Sequence, residues 1–453
     1  MNLPNYFLAD ISDPSALTPS IVRDACITLK QNRERYLLER TTSSLIRIVS
    51  SVAQNWLESN NPFRNEALEH GLKATGFSRE TLSVGLDALF KQLTKENLQS
   101  LIIQEFGDLQ RLDSLSANPE EQKLDRASFV RGPELIAHIT GGVIPNATLT
   151  SMIFGLLTRS AQFVKCASGT AFIPRLFAHS IYESEPKLGA CLEIAEWRGG
   201  SESLENALFA EADCVTATGS DETLETIRKR LPQKNRFVGY GHRVSFAYVT
   251  EQVLSGMNPQ KIVTRAATDV VAWNQLGCLS PHVIYVESGG KISAENFAER
   301  LAAELHAMEL KEPRGKLSTE ESANVAYRRS FYEVRAAHSL DTKMWRSEDS
   351  TDWTVIFEND PRFQMSCLNR FIYVKAVASL KQAIEGADMV RGKISSVGVA
   401  APEDRAKEIA LELARWGVTR ICPLGQMQNP SLLWRHDGRP ALSDLVTWTD
   451  WEM

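Results

Sequence analysis

Short apolar runs alternate with amphipathic helical segments from about Ser128 to the end of the chain. "ADCVTATGS" precedes "DETLETIRKRL", "VSFAYV" precedes a helical stretch ending in "TDVVAWNQ", and "HVIYVE" precedes "SAENFAERLAAELHAMEL". Such alternation is typical of α/β proteins with largely parallel sheets, because each parallel connection has to cross the sheet. Before Ser128 the leucines of "GFSRETLSVGLDALFKQLTKENLQSLIIQEFG" recur at near-helical spacing. We therefore predict an α/β fold with a helical N-terminal segment.

Composition excludes several classes of partner. The 453 residues are 43% apolar, which is enough for two or three domains with full-sized cores. The 50 basic and 56 acidic side chains are mixed along the chain and sum to a net charge of −6, so no basic stripe indicates nucleic acid. No run approaches the ~18 apolar residues of a membrane span, and no signal peptide is evident. We expect a cytoplasmic protein without nucleic-acid binding or stable membrane insertion.

The seven cysteines are widely scattered, with no C-x-x-C pair and no Cys/His cluster, so neither a disulfide framework nor a metal site is predicted. Most of them fit the role of small buried hydrophobes. Cys278 differs, because in "VVAWNQLGCLSPHVIYVE" it follows Gly277 at an expected helix end and precedes Pro281. This context predicts a loop that faces a crevice. A nucleophilic thiol there would need a pKa lowered by nearby donors or positive charge.

A second candidate is the turn between an apolar strand and a helix in "ADCVTATGSDETLETIRKRL". Gly219 lets the backbone approach a ligand, Ser220 can donate to a phosphate oxygen, and the first helical N–H groups favour an anion. The alternative is a plain helix cap, since Ser220 or Asp221 would cap the helix without any ligand. The residues alone leave both interpretations open.

The third candidate is "NRFVGYGHRVSFAYV", in which a glycine-rich segment with His242 leads into a strand. Gly-Tyr-Gly-His-Arg resembles the histidine signature of citrate synthase, and an Asp-Pro-Arg triplet occurs at 360–362. In that family the triplet follows the histidine within a few residues on a helical fold. Here a strand follows and the triplet is distant, so we reject that assignment.

Taken together and in this order, the three motifs resemble the aldehyde dehydrogenase superfamily. "TGSDETLETIRKRL", "FVGYGHRVSFAYV", "DVVAWNQLGCLSPHVIYVE" and the terminal "GVTRICPLGQM" and "WRHDGRPALSDLVTW" resemble, more specifically, its acyl-CoA reductase (LuxC-type) family over roughly residues 70–453. The resemblance implies two Rossmann-type α/β domains. The expected division is a helical segment with the nicotinamide-cofactor domain at 1–245, joined by 428–453, and the catalytic cysteine domain at 246–427.

The resemblance also implies a mechanism. The Cys278 thiolate attacks an acyl thioester, a carrier thiol leaves, and hydride from a nicotinamide gives a thiohemiacetal that collapses to the aldehyde. The Cys278 N–H and, in "TGGVIPNAT", the poorly aligned Asn146 are the expected oxyanion donors. The carboxylate that activates water in hydrolytic relatives is missing from "VGYGH", which favours reduction over hydrolysis. His242 could act there as an acid, a base or a structural hydrogen-bonding group.

The stretch "SAQFVKCASGTAFIPRLFAHSI" resembles the cofactor-ribose segment of the superfamily, with Lys165 in the place of the ribose-contacting lysine. NAD-specific relatives often carry glutamate three residues later, whereas this chain has Ser168. A neutral residue beside Lys165 would accept a 2′-phosphate, so the predicted cofactor is NADPH. The alternative is that Lys165 is a solvated surface lysine.

Three other activities stay open: a hydrolytic aldehyde dehydrogenase, a reductase of acyl phosphates, and a non-catalytic cofactor-binding partner protein. The expected substrate is an acyl thioester, fatty acyl in character, carried by coenzyme A or by an acylated carrier or partner protein. Superfamily members commonly oligomerise, so we expect at least a homodimer.

Overall fold

The computed structural model describes residues 3–11 and 17–452. Within these ranges the chain forms 17 α-helices around three β-sheets of five, seven and two strands. None of the helices in the described part is both long and apolar enough to cross a bilayer.

The N-terminal helices form a scaffold against the first half of the chain. Each begins after a Thr, Asn or Ser side chain that accepts a hydrogen bond from the first helical turn, which satisfies one of the free N–H groups there. The third and fifth helices end at Gly76 and Gly107, both in the left-handed region with φ of 81° and 78°. The helices are α1 Pro19–Tyr36, α2 Thr42–Leu57, α3 Pro62–Thr75, α4 Arg79–Phe90, α5 Lys95–Phe106 and α6 Pro119–Gln122.

A five-stranded parallel sheet follows, in the strand order β4-β3-β2-β5-β6. The chain winds outward from β2 in both directions, so the loops after β2 and β5 meet at the switch point, where open α/β sheets bind ligands. Its strands are β2 Leu135–Thr140, β3 Ala161–Cys166, β4 Leu192–Glu196, β5 Cys214–Thr218 and β6 Arg236–Tyr240. Its helices are α7 Pro145–Leu157, α8 Phe172–Ser184, α9 Pro186–Gly189, α10 Glu202–Glu211 and α11 Asp221–Arg230.

The seven-stranded sheet has the order β13-β12-β7-β8-β11-β10-β9, and its neighbours are parallel except for the edge strand β9, which runs antiparallel to β10. Its strands are β7 Val244–Val249, β8 Pro281–Glu287, β9 Thr342–Arg346, β10 Thr354–Glu358, β11 Phe371–Val377, β12 Ile394–Ala400 and β13 Ile421–Pro423. Its helices are α12 Glu251–Ser255, α13 Pro259–Val271, α14 Ala294–Glu309, α15 Thr319–His338, α16 Leu380–Gly386 and α17 Glu403–Trp416.

The third sheet joins the two halves of the sequence. Strand β14, Thr447–Glu452, pairs antiparallel with β1, Arg126–Arg131. The segment before β14 contacts the N-terminal half as well, because the backbone N–H groups of Leu442 and Ser443 donate to Glu105 Oε2 at 3.1 and 3.0 Å. All six residues of β14 are exposed.

The α/β fold class predicted from the alternating pattern is confirmed. Strands β7 and β8 are buried at every position, which explains why they read as continuous apolar runs: parallel strands are covered on both faces. Two prolines mark the starts of elements. Pro281 is the first residue of β8, and Pro402 precedes α17 as its N-cap residue, where its missing N–H costs no helical bond.

Candidate active site

Cys278 lies in a tight turn between α13 and β8, as the sequence predicts for this segment. The turn is closed by a hydrogen bond of 2.9 Å from the Ser280 N–H to the Gly277 carbonyl. The hydroxyl of Ser245, at the start of β7, donates to the Cys278 carbonyl oxygen at 2.7 Å. Gln428 donates to the Ser280 hydroxyl from the opposite side. The cysteine is therefore held from a neighbouring strand and from the C-terminal part of the chain.

The electrostatic environment of this thiol is mixed. Cys278 is partly exposed, yet burial of its sulfur raises its pKa to about 11, and the negative charge of Asp437 adds to that rise. The Ser395 hydroxyl, the Cys278 N–H and the charge of Arg243 act in the opposite direction and stabilise the thiolate. At pH 7 roughly one thiol in ten thousand would be ionised at such a pKa. Forming the nucleophile therefore depends on the groups that favour the thiolate.

Arg243 and Asp437 form an ion pair beside the turn, with Arg243 Nε 3.2 Å from Asp437 Oδ2. The Asp437 side chain is only 6% exposed, its other carboxylate oxygen is buried without a hydrogen-bond partner, and its φ is 54°. Next to it, the His436 ring stacks on Tyr240 with centroids 4.5 Å apart. Arg243 and Asp437, which shift the pKa of Cys278 in opposite directions, are thus paired with each other.

Ser395 is the neutral donor of this group. It lies in β12, the strand next to β7, is fully buried, and its hydroxyl makes no hydrogen bond to another described residue. A buried hydroxyl without a partner is uncommon, and this one lies close enough to the sulfur to favour the thiolate. Sequence analysis identified neither Ser395 nor Arg243 nor Asp437. Arg243 could have been identified from the sequence, because it directly follows His242 in the glycine-rich segment.

The segment from Gly239 to His242 spans the end of β6 and the turn towards β7, and it carries no carboxylate. His242 is exposed, and its backbone N–H donates to Asp221 Oδ1 at 3.0 Å. Asp221 also pairs with Lys393 at 3.2 Å. These contacts bring His242 next to the start of α11 and connect that helix with the segment leading into β12.

Gly219 and Ser220 lie at the carboxyl end of β5, at the switch point of the five-stranded sheet. The Ser220 hydroxyl accepts the Thr223 N–H at 3.2 Å, so it caps α11, as the ligand-free alternative predicts. A Cβ on Gly219 would come no closer than 3.4 Å to any protein atom, the Thr223 side chain. A side chain at this position would therefore be in ordinary van der Waals contact with Thr223, and the packing of the protein itself does not demand glycine here.

Lys165, at the end of β3, is not a surface lysine. It is 3% exposed, burial lowers its pKa, and the carboxylates of Glu205 and Glu196 partly oppose that shift. Its ammonium lies 6.0 Å from the Trp197 ring centroid and has no ion pair within 4 Å in the described part of the chain. A buried ammonium without a carboxylate partner is costly, so the site fits a ligand that supplies the missing acceptor.

Ser168 is exposed in the loop between β3 and α8. A carboxylate that sequence analysis missed lies beside this loop: Glu196, at the end of β4, accepts the N–H groups of Gly169 and Ala171 at 2.8 and 3.1 Å. Glu196 is the last residue of β4, the strand next to β3.

Asn146 makes its side-chain hydrogen bond to the helical scaffold. Its amide nitrogen donates to the Gly85 carbonyl of α4 at 2.8 Å, and its amide oxygen is buried without a partner. This bond directs the amide donor to the helical scaffold. The assignment of Asn146 as an oxyanion donor stays a prediction, and the structure supplies no contact between Asn146 and Cys278.

A cavity of about 660 Å³ opens on the side of the Cys278 turn that faces the N-terminal helices. Its apolar lining includes Phe77, Val143 and Leu276, and Lys73 and Lys316 lie among its charged residues. Leu276 is two residues from Cys278. A bound molecule in this cavity would therefore contact Asn274 and Leu276, in the segment that leads into the cysteine turn. No group of three or more His, Cys, Asp or Glu side chains able to hold a metal occurs in residues 3–11 and 17–452.

Solved structures with this fold are aldehyde dehydrogenases. The putative aldehyde dehydrogenase PutA from Anabaena variabilis matches with a TM-score of 0.68 at 16% identity, covering 96% of this chain and 93% of that one. A NAD-dependent benzaldehyde dehydrogenase from Corynebacterium glutamicum gives 0.69 at 14% identity, with 96% and 91% covered. The protein thus has the aldehyde dehydrogenase fold.

The model of the family described as Acyl-CoA reductase (LuxC) matches residues 37–448, so the chain belongs to that family and is an oxidoreductase of the acyl-reductase type. Two relatives are each called long-chain acyl-protein thioester reductase. The one from Vibrio harveyi is 22% identical over 422 residues, which cover 92% of this chain and 84% of the relative. The one from Photorhabdus luminescens is 24% identical over 417 residues, covering 90% and 82%.

Proposed function

We propose that the protein reduces a long-chain acyl thioester to the aldehyde through an acyl-cysteine on Cys278. The observation that carries this proposal is the Cys278 turn, in which the chain places its own N–H, the Ser395 hydroxyl and Arg243 where they stabilise a thiolate. The same three donors suit the oxyanion that forms when the thiolate attacks the acyl carbon. The carbon–sulfur bond to the carrier then breaks, the carrier leaves as its thiolate, and the acyl group stays on Cys278.

A nicotinamide cofactor, when bound, supplies the hydride that reduces this acyl-cysteine. Lys165, Gly219 and Ser220 would hold it: the lysine has no carboxylate partner among the described residues, and Gly219 and Ser220 precede a helix start whose N–H groups favour a phosphate. This fit also supports the expected division, with the cofactor domain built on the five-stranded sheet and the catalytic domain on the seven-stranded sheet. The aldehyde forms when the Cys278 sulfur leaves as a thiol or thiolate.

Hydrolysis of the acyl-cysteine is disfavoured because the segment from Gly239 to His242 offers no carboxylate to activate water. Asp437, which lies near the sulfur, is paired with Arg243. A direct proton-transfer role for His242 stays a proposal: the bond to Asp221 comes from its backbone N–H, and no hydrogen bond joins its ring to Cys278 among the described residues. The product we expect is therefore aldehyde and not free acid.

The acyl group is proposed to enter through the cavity beside Leu276, where Phe77, Val143 and Leu276 provide apolar contacts. The relatives act, by their names, on long-chain acyl groups carried by protein, which supports a protein carrier here. Lys73 and Lys316 would then meet the carrier at the surface. Comparing acyl-carrier-protein and coenzyme A thioesters of the same chain length distinguishes the two carriers.

NADPH is the proposed form of the cofactor. Lys165 can pair with a 2′-phosphate, and Ser168 places no negative charge against it. The negative charge of Glu196 would oppose a 2′-phosphate, but two backbone N–H groups already bind this carboxylate. The balance of these three residues is testable by substitution.

The proposal also includes a homodimer or larger assembly. Strand β14 is exposed along its whole length, and Trp451 is 48% exposed. An exposed strand edge with large apolar side chains is a natural site for pairing between subunits. Light scattering coupled to size-exclusion chromatography measures the mass directly, and a monomer at micromolar concentration would contradict this part.

The central test is Cys278→Ala, assayed for acyl labelling of the protein, NADPH consumption and trapped aldehyde. All three should be lost while the circular dichroism spectrum stays unchanged. Cys367→Ala is the matched control, because Cys367 is also partly exposed and burial also raises its pKa to about 11. Normal aldehyde production by Cys278→Ala would refute the mechanism.

A further inference from the structure

The segment that leads into the Cys278 turn has an unusual backbone. Trp273, Asn274 and Gln275 are three consecutive residues in the left-handed region, with φ of 51°, 52° and 65°. Side chains other than glycine rarely adopt this conformation, and three in succession persist only where the surroundings enforce it. Cys278 follows three residues after Gln275.

Each of the three residues is anchored by its side chain. The Trp273 ring lies directly over Gly85 of α4, where an added Cβ would overlap it. Asn274 donates from its amide nitrogen to the Arg314 carbonyl at 2.6 Å. Gln275 donates to the Pro281 carbonyl at 2.7 Å, which closes a ring of backbone around Cys278.

The anchor of Asn274 belongs to a second strained segment. Leu368, Asn369 and Arg370 also have left-handed φ, of 61°, 58° and 63°. Arg370 is fully buried, pairs with Glu309 at 2.7 Å, and donates from Nη2 to the Asn274 amide oxygen at 2.9 Å. The Asn274 amide oxygen thus joins the two strained segments, while the amide nitrogen bonds to Arg314.

We propose that Asn274 and Gln275 are positioning residues that hold the Cys278 turn in its reactive geometry, with Arg370 as the buried anchor. The proposal rests on Cys278 as the nucleophile. Asn274 fixes the entry to the turn, and Gln275 connects the entry to the strand that follows it. The N–H of Cys278, the Ser395 hydroxyl and Arg243 act on the sulfur only if the turn keeps its position relative to β7 and β12.

Asn274→Gly tests this directly, because glycine accepts a φ of 52° while removing both hydrogen bonds of the amide. We expect kcat to fall at least tenfold with KM within about twofold of wild type. We also expect the pH profile of Cys278 alkylation by iodoacetamide to move to higher pH. Asp349→Gly is the matched control, since Asp349 is exposed, has a φ of 53° and lies in a loop far along the chain. It should leave all three quantities unchanged.

Asn274→Asp keeps an acceptor for Arg370 and should restore much of the lost kcat, which a merely structural role would not predict. If Asn274→Gly does not fold, Gln275→Gly carries the same test, because it keeps the Arg370 contact and removes only the bond to Pro281. A folded variant with wild-type kcat and a wild-type alkylation profile would overturn the proposal. Cys278→Ala separates this outcome from failure of the proposed function: turnover without Cys278 refutes the mechanism, whereas turnover that needs Cys278 but tolerates Asn274→Gly refutes only the positioning role.

Discussion

The two halves of the candidate site are built differently. At the edge of the five-stranded sheet, Gly219 and Ser220 form an ordinary strand-to-helix turn, in which Ser220 caps α11. Around Cys278, by contrast, six left-handed residues at 273–275 and 368–370 are joined through the buried Arg370. The first half uses standard local geometry. The second departs from local preference and is maintained by long-range contacts.

The difference shows what each half has to achieve. A phosphate can be bound by free N–H groups that any helix start offers, so local sequence is enough to build the site. A cysteine whose pKa burial raises to about 11 has to receive several donors at once, and these come from distant segments. Substitutions at the cofactor edge should therefore alter ligand choice, whereas substitutions around Cys278 should alter the reactivity of the sulfur.

The largest effect is expected from Ser168→Glu, which would place a carboxylate against the 2′-phosphate of NADPH. A charge-assisted hydrogen bond of about 1.5–3 kcal/mol corresponds to roughly a ten- to hundredfold preference, and this substitution should remove it from NADPH while leaving NADH binding nearly unchanged. Glu196→Gln is the counterpart and should strengthen NADPH binding, because it removes the nearby negative charge. Both are measured as dissociation constants by fluorescence titration. Equal weakening of both cofactors by Ser168→Glu would show that the ribose segment is misassigned.

Asp437→Asn should change the reactivity of the Cys278 sulfur and leave cofactor binding unchanged. The Asp437 charge disfavours the thiolate and raises the pKa of Cys278, so its removal should lower that pKa and raise the alkylation rate at pH 8. One pKa unit, about 1.4 kcal/mol, would give roughly a tenfold faster reaction. Arg243→Met should act with the opposite sign, because it removes a charge that favours the thiolate. Slower alkylation of Asp437→Asn would mean that the ion pair serves mainly to hold Arg243 in place.

The smallest effect on activity is expected at Glu193, a partly buried residue of β4 whose carboxylate accepts the backbone N–H groups of Leu8 and Ile194 at 2.7 and 3.0 Å. Burial raises the pKa of Glu193 to about 8. A raised folded-state pKa contributes stability that is complete below the unfolded value of about 4.5 and is lost as pH rises through 8. Glu193→Gln should remove this loss of stability. The thermal midpoint of the variant minus that of wild type should therefore be larger at pH 8.5 than at pH 5.5. The exposed Glu225→Gln should show no such change, and neither variant should alter kcat.

Much of the fold was predictable because it rests on local pattern. The alternation of apolar runs and amphipathic helices indicates parallel sheets, and the strand "HVIYVE" and the turn before it occur where expected. Gly277 and Pro281 identify a loop around Cys278 from sequence alone. Lys165, which the sequence left open as a surface residue, is buried because β3 lies inside the sheet.

The sequence by itself determined the alternation of elements, the loop that carries the cysteine, and the absence of a carboxylate between Gly239 and His242. Only the tertiary structure decided which groups surround the sulfur. Ser245, Ser395 and Asp437 are separated by up to about 190 positions: pairing of β7 with β12 brings the two serines together, and the segment after β13 supplies Asp437. Hydrophobic periodicity encodes which face of a strand is buried, whereas contacts between strand ends depend on the order of strands in the sheet, which no local pattern records.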